Sequence, residues 1–222
     1  KPTLIDNLTY LFTYQINYMY WRYFMWNFAG RQNDIQGDYS ILNGNWISGI
    51  KFIDELRVGN QDALNKDQKN NKARNTYFFL PLLLGIIGLM FCYKYDIKSF
   101  WTLLLLFLFT GLALKFYLNE RPFEPRERDY ALVGSFYVFS IWIGMGYAAI
   151  SYYLKKYNSK LLQGGIYSLC LLSVPLLMAS NNWDDHDRSD RYTAQSLARA
   201  YLQSIDEDKD AMIFTIGDND TF

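Results

Sequence analysis

YALVGSFYVFSIWIGMGYAAISYYL (Tyr130–Leu154) runs for 25 residues without one charged side chain. A helix needs roughly 20 apolar residues to cross a hydrocarbon core about 30 Å thick, so this stretch is long enough to do so. Three more uncharged stretches surround it, Tyr77–Tyr93, Ser99–Leu114 and Leu161–Trp183. The last also reaches spanning length. The two shorter ones reach it once flanking polar residues are counted, with Lys115 snorkelling from the end of the second toward the headgroups. With no water in the bilayer core, such segments satisfy their backbone internally, which means helices. The expected fold is an α-helical integral membrane protein with four spans in residues 77–183.

The short connectors set an expected orientation. Tyr93–Lys98 and Lys155–Lys160 carry Lys94, Lys98, Lys155, Lys156 and Lys160 against a lone Asp96. Short basic connectors stay on the cytoplasmic side. Four spans then place residues 1–76, the loop Asn119–Asp129 and the tail from Asp184 together on the outer face. Most of the chain's paired acids and bases lie in those three segments.

Composition narrows the function classes. The 22 basic and 22 acidic residues cancel, and no basic stripe stands apart from the lysines expected beside a membrane, so nucleic acid is not an expected partner. Cys92 and Cys170 fall inside predicted spans and read as small apolar packing residues. The chain opens on Lys1 and stops at Phe222, just after an apolar run of strand type. It reads as an internal segment of a longer protein.

Two regions flank the spans. Within residues 1–76, Leu8–Phe28 is crowded with aromatics, including Tyr10, Tyr14, Tyr18, Tyr20, Trp21, Tyr23, Phe24, Trp26 and Phe28. Arg22 and its polar neighbours make it a poor spanning helix. Two placements suit it: in the membrane interface, where Tyr and Trp prefer to lie, or packed on the bundle. A loop with a short helix and then a polar stretch, Asn60–Asn75, lead to the first span. Residues 184–222 read as the start of an outward α/β domain: a helix capped by Ser189 or Asp190 running to about Ser204, an acidic turn, a strand Ala211–Ile216 and a polar loop.

Three motifs carry candidate chemistry. YLNERPFEPRERDY (Tyr117–Tyr130) alternates Arg121, Arg126 and Arg128 with Glu120, Glu124, Glu127 and Asp129, stiffened by Pro122 and Pro125. Arginine's planar fork suits a phosphate, which at this depth belongs to a lipid headgroup or a lipid-linked substrate. The alternative is a self-paired charged turn. Asp184, Asp185, His186 and Asp187 offer imidazole and carboxylates, yet they are consecutive, and acids ahead of a helix favour its positive end without any metal. The expectation there is a polar cluster with no metal. Asp218 and Asp220 form an Asp-x-Asp after a strand, a pattern by which many nucleotide-sugar transferases present carboxylates to a metal and diphosphate, and one that also arises in ordinary turns.

YFMWNFAGRQNDIQG (Tyr23–Gly37), PFEPRERDYALVGSFYVFSIWIG (Pro122–Gly144), NWDDHDRSDRYTA (Asn182–Ala194) and IFTIGDNDTF (Ile213–Phe222) together resemble a family of bacterial multi-pass membrane proteins of formerly unknown function, related to protein O-mannosyltransferases. The resemblance implies a glycosyltransferase of the multi-span C type in the bacterial inner membrane. Such enzymes pass a sugar, mannose-like here, from a polyprenyl-phosphate carrier to protein Ser/Thr hydroxyls on the periplasmic face, with no cofactor. It places the catalytic carboxylate upstream of these residues. Arg126 and Arg128, with Arg31 as a weaker candidate, are the cations suited to the lipid phosphate. A second reading stays open: a non-catalytic membrane scaffold or envelope-assembly protein whose outward domain binds protein.

Overall fold

The computed structural model describes residues 2–122, 127–157 and 159–205, together with Met212 and Phe214. The chain divides into two compact units, Lys1–Asp185 and His186–Phe222. Most of it is helical. Among the described residues, three helices are long and apolar enough to cross a membrane: Ile97–Leu118, Asp129–Leu154 and Lys160–Asp184.

The first apolar stretch forms a shorter helix, Leu80–Tyr95, of 16 residues. At 1.5 Å per residue it is about 24 Å long, less than a hydrocarbon core. Its start is displaced from Tyr77 because Phe78 and Phe79 take left-handed φ angles of 53° and 58°. Pro81, lacking an N–H, is accommodated in the first turn. At the far end Asp96 stops this helix and caps the next, accepting from the Ser99 amide at 3.1 Å. Leu80–Tyr95 therefore falls short of the spanning length expected of the first stretch.

Glycine sets how closely Leu80–Tyr95 packs on Asp129–Leu154. A Cβ on Gly88 would lie 1.8 Å from the Trp142 carbonyl oxygen, and one on Gly146 would lie 2.1 Å from that of Leu84. Those neighbours are backbone and cannot swing aside. Small residues let two helices approach this closely where no hydrophobic drive exists between them and lipid.

Residues 4–28 form one helix whose middle, Tyr10–Trp21, is widened into π geometry. Of its two expected placements, it packs on the bundle. The Phe24 and Phe28 rings lie 4.8 and 4.4 Å from that of Phe139. The Tyr20 and Ser135 hydroxyls share a hydrogen bond of 2.7 Å. Aromatic pairs of this kind contribute roughly 0.5–1.5 kcal/mol each beyond their buried area. The aromatic run thus builds the core of the first unit.

Beyond this helix the chain is knitted by amides and a two-stranded antiparallel sheet, in which Gly30 pairs with Thr76 and Arg31 with Asn75. Gln32 accepts from the Asn45 amide, and Asn33 accepts from that of Gly44. The buried Asp54 carboxylate accepts from the Ser48 amide at 2.7 Å, the Ser48 hydroxyl at 2.9 Å and the Gly49 amide at 2.8 Å. These are the only strands among the described residues. The expected strand Ala211–Ile216 lies outside them apart from Met212 and Phe214, which are not in a strand.

In the second unit the helix is Thr193–Gln203, later than expected, and Tyr192 at its cap makes no side-chain hydrogen bond. Asp184, Asp185 and His186 belong instead to the last turns of the helix Leu177–His186. Acids there face the negative end of a helix, not the positive one.

Candidate functional site

The charged segment after Ile97–Leu118 is held down at both ends by the first helix. Asn119, in left-handed geometry, ends the preceding helix and accepts from the Gln15 amide at 2.9 Å. Tyr10 donates to the Glu120 carbonyl, and Tyr14, one turn on, donates to the Arg121 carbonyl at 2.9 Å. The segment returns at Glu127, whose carboxylate takes hydrogen bonds from Arg22, at 2.8 Å, and from the Tyr23 hydroxyl.

Arg22 is the hub. It is only 4% exposed and also donates to the carbonyls of Tyr18 at 3.0 Å and Gly44 at 2.8 Å. Its guanidinium carbon lies 3.9 Å from the centre of the Tyr18 ring and 4.4 Å from that of Tyr23. Burial works against its charge, but Tyr23 and Glu127 more than compensate, and its pKa lies above the ordinary arginine value. Burial, together with the bond to Glu127, raises Tyr23 well above a normal phenol. Beside the hub, Tyr39 stacks on Tyr18 at 4.3 Å, and burial with neighbouring phenols pushes its pKa up to about 12.

A second ion pair lies at the segment's start. Lys115 does not snorkel outward: it is 2% exposed and donates to Glu120 at 2.5 Å. The sequence alone gives the loop 117–130 three arginines against four acids, one net negative charge. Its acids Glu120 and Glu127 are neutralised from outside, by Lys115 and Arg22. With those two partners counted, the loop carries one net positive charge. A turn held together only by its own charges is therefore not what forms here.

The candidate residues fall as follows. Arg128 is exposed and immediately precedes the helical turn that opens Asp129–Leu154. Arg31 sits in the sheet, donates to the Ala73 carbonyl at 2.9 Å and lies 5.8 Å from the Trp26 ring, which also lies 5.3 Å from the Arg22 guanidinium. Asp184 pairs with Lys72 at 3.6 Å, and Asn182 donates to the Tyr77 hydroxyl at 2.7 Å. Residues 1–76, the charged loop and the end of the last apolar helix therefore meet at one end of the helices. The lysine connectors lie together at the other, where the Tyr95 and Tyr153 hydroxyls are 3.4 Å apart.

His186 and Asp187 are exposed, and Asp187 accepts from the Ser189 amide and hydroxyl at 2.8 and 2.5 Å. Those bonds lower its pKa. Among the described residues, no group of three or more His, Cys, Asp or Glu side chains is arranged to hold a metal ion. Arg126, Asp218 and Asp220 lie outside the described residues.

Sequence reasoning missed Arg22, Glu127 and the Lys115–Glu120 pair as structural anchors. One signal was available. A lone arginine inside an aromatic helix that packs on a bundle needs a carboxylate partner, and the charged loop is where the spare acids are. Compared with protein-family models, curated proteins and solved structures, the chain matches none.

Proposed function

We propose that this chain belongs to a glycosyltransferase of the bacterial inner membrane, which moves a mannose-like sugar from a polyprenyl-phosphate carrier to protein Ser/Thr hydroxyls on the periplasmic side. The observation that carries the reading is the anchored, net-positive loop at the end of the helices opposite the lysine connectors. The motif resemblance supplies the reaction class. In this topology Leu80–Tyr95 is the shortest of four spans, crossing with local thinning of the bilayer. Residues from 184 onward begin the outward α/β domain.

The chemistry is inverting transfer. A carboxylate outside residues 1–222 accepts the proton of the Ser/Thr hydroxyl as its oxygen bonds to the anomeric carbon. The bond from that carbon to the phosphate oxygen breaks, and the phosphate leaves with the electron pair. Arg126 and Arg128 stabilise the departing phosphate at headgroup depth, where a charge-assisted hydrogen bond is stronger than in bulk water. Arg31 assists from the sheet. Anchoring by Tyr10, Tyr14, Arg22 and Tyr23 keeps the loop in place before substrate binds, so less order has to be created on binding.

The test is turnover. Full-length protein in vesicles is given radiolabelled polyprenyl-phosphate mannose and a Ser/Thr-rich acceptor peptide. Label transferred to the peptide through an alkali-labile bond is the expected result. Folded protein that transfers no sugar to any acceptor would instead favour the scaffold reading, for which the exposed Leu197, Tyr201 and Leu202 on Thr193–Gln203 offer a protein-binding face.

A further inference from the structure

A cavity of about 550 Å³ lies toward the lysine-bearing end of the helices, within the roughly 300–1,000 Å³ of ordinary ligand pockets. Leu80–Tyr95 supplies most of its wall, from Ile87 to Lys94, about 10 Å along the helix axis. Ile87, Met90 and Phe91, with Phe100 and Ala149 from the neighbouring helices, make that length apolar. Ring contacts fix the wall: Tyr93 packs edge-on against Phe100 at 5.0 Å, and Phe91 against Tyr153 at 6.4 Å. The polar lining gathers at one end and consists of Lys94 and the phenols Tyr93 and Tyr153. Lys94 is exposed, its ammonium 5.2 Å from the centre of the Tyr95 ring.

Charge at this end is one-sided. Lys98 lies two residues before Phe100, and Lys155 and Lys156 follow Tyr153 by two and three residues. Asp96, the lone acid of the two connectors, accepts from the Ser99 amide at 3.1 Å and the Ser99 hydroxyl at 2.6 Å. The Tyr95 hydroxyl, 3.4 Å from that of Tyr153, can donate to it and leave the Tyr153 proton for a ligand. A pocket that is apolar along its length and cationic at one end matches a hydrocarbon chain with an anionic head. Basic pockets between helices at a membrane face take phosphate headgroups of this kind. A free phosphate would leave the apolar length unfilled, and a neutral lipid would leave the lysine charge unanswered.

We infer that this cavity binds an anionic diacyl phospholipid: its phosphate accepts from the Lys94 ammonium and the Tyr153 hydroxyl, and one acyl chain lies against Ile87, Met90 and Phe100. The site is at the opposite end of the helices from the arginines assigned to the polyprenyl phosphate. It stands whether or not the chain transfers sugar.

The test uses full-length protein in phosphatidylcholine nanodiscs holding a small fraction of phosphatidylglycerol with a diazirine in one acyl chain. Labelling should saturate with probe and map to residues 87–94, 100 and 149–153. Unlabelled phosphatidylglycerol should displace the probe, polyprenyl phosphate at the same mole fraction should do so more weakly, and soluble glycerol phosphate should not displace it. Lys94→Gln removes the charge at an exposed position and should lower labelling by about tenfold, while Lys94→Arg should keep it within about threefold. Met90→Trp fills the cavity from a residue that is 62% exposed, so the fold survives, and should lower labelling by a similar factor. Lys160→Gln, a lysine at the same end that does not line the cavity, should leave labelling within about twofold and so separates the site from diffuse attraction. Non-saturable labelling, displacement by glycerol phosphate, stronger displacement by polyprenyl phosphate, or wild-type labelling of Lys94→Gln or Met90→Trp would overturn the proposal. So would an equal loss in Lys160→Gln.

Discussion

Replacing Arg22 by Met keeps most of the side chain's stem and removes its charge and its fork. The loss is larger than one contact. Glu127, only 12% exposed, would lose its cationic partner while keeping the bond from the Tyr23 hydroxyl, and the carbonyls of Tyr18 and Gly44 would each lose a donor. Stripping one partner from a buried ion pair costs roughly 3–5 kcal/mol, because the other charge stays buried. The cation–π contacts with Tyr18 and Tyr23 disappear as well. Arg22→Met should therefore destabilise the protein by about 4 kcal/mol, while Arg22→Met combined with Glu127→Gln should cost less than the sum of the single changes. The difference is the coupling energy, expected at about 1.5 kcal/mol or more. Denaturant unfolding of full-length protein in detergent provides the assay, with tryptophan fluorescence as readout because Trp26 lies 5.3 Å from the guanidinium. If Arg22→Met stays within about 0.5 kcal/mol of wild type, or the cycle is additive, Arg22 is not the hub that anchors the loop.

Gly88→Ala puts a methyl 1.8 Å from the Trp142 carbonyl and should destabilise by about 2 kcal/mol or more. Gly144→Ala, with nothing within 4 Å of the added atom, should be neutral or slightly stabilising in the same unfolding assay. The pKa of Tyr39, raised from 10.0 to about 12, means that the stability it contributes is complete below pH 10 and is lost as pH rises through 12. Absorbance at 295 nm should show Tyr39 ionising late, and Tyr39→Phe should remove that part of the alkaline destabilisation. Cysteines placed at Glu124 and Asp187 should react with an impermeant thiol reagent in intact spheroplasts, and one at Ser159 should not; the reverse pattern would invert the topology.

Much of the helical plan was legible because absence of charge over 20 or more residues is a coarse, long-range signal. Tyr130–Leu154 and Leu161–Trp183 each match a helix of spanning length, Asp129–Leu154 and Lys160–Asp184. Hydropathy does not report φ, so it missed the left-handed Phe78 and Phe79 that shorten the Leu80–Tyr95 helix. Nor does it report partners. Lys115 at the end of an apolar stretch looks like a snorkelling lysine until Glu120, five residues on, folds back over it. Loop 117–130 looked self-paired because the eye matches neighbours, whereas Glu127 finds Arg22 across more than 100 residues of chain. The aromatic helix had two placements by composition, and only tertiary packing on Phe139 and Ser135 distinguishes them. The acidic cluster before Thr193 was assigned to the wrong helix because Leu177–His186 continues past Trp183.

In the proposed function, Arg126 and Arg128 hold the phosphate of a lipid-linked sugar. Lysine keeps the charge but lacks the planar fork, so a graded series separates bidentate recognition from simple attraction. The decisive measurement is the initial rate of sugar transfer from the polyprenyl-phosphate donor by full-length wild type and by Arg126 and Arg128 variants inserted in the membrane at equal levels. Arg→Lys at either position should lower the rate and Arg→Ala should lower it further. The double Arg126→Ala, Arg128→Ala variant should fall by about 100-fold or more, as expected for losing charge-assisted bonds of roughly 1.5–3 kcal/mol each. A double variant that transfers sugar at the wild-type rate would contradict the account and leave the loop as an anchored turn without a role in the chemistry.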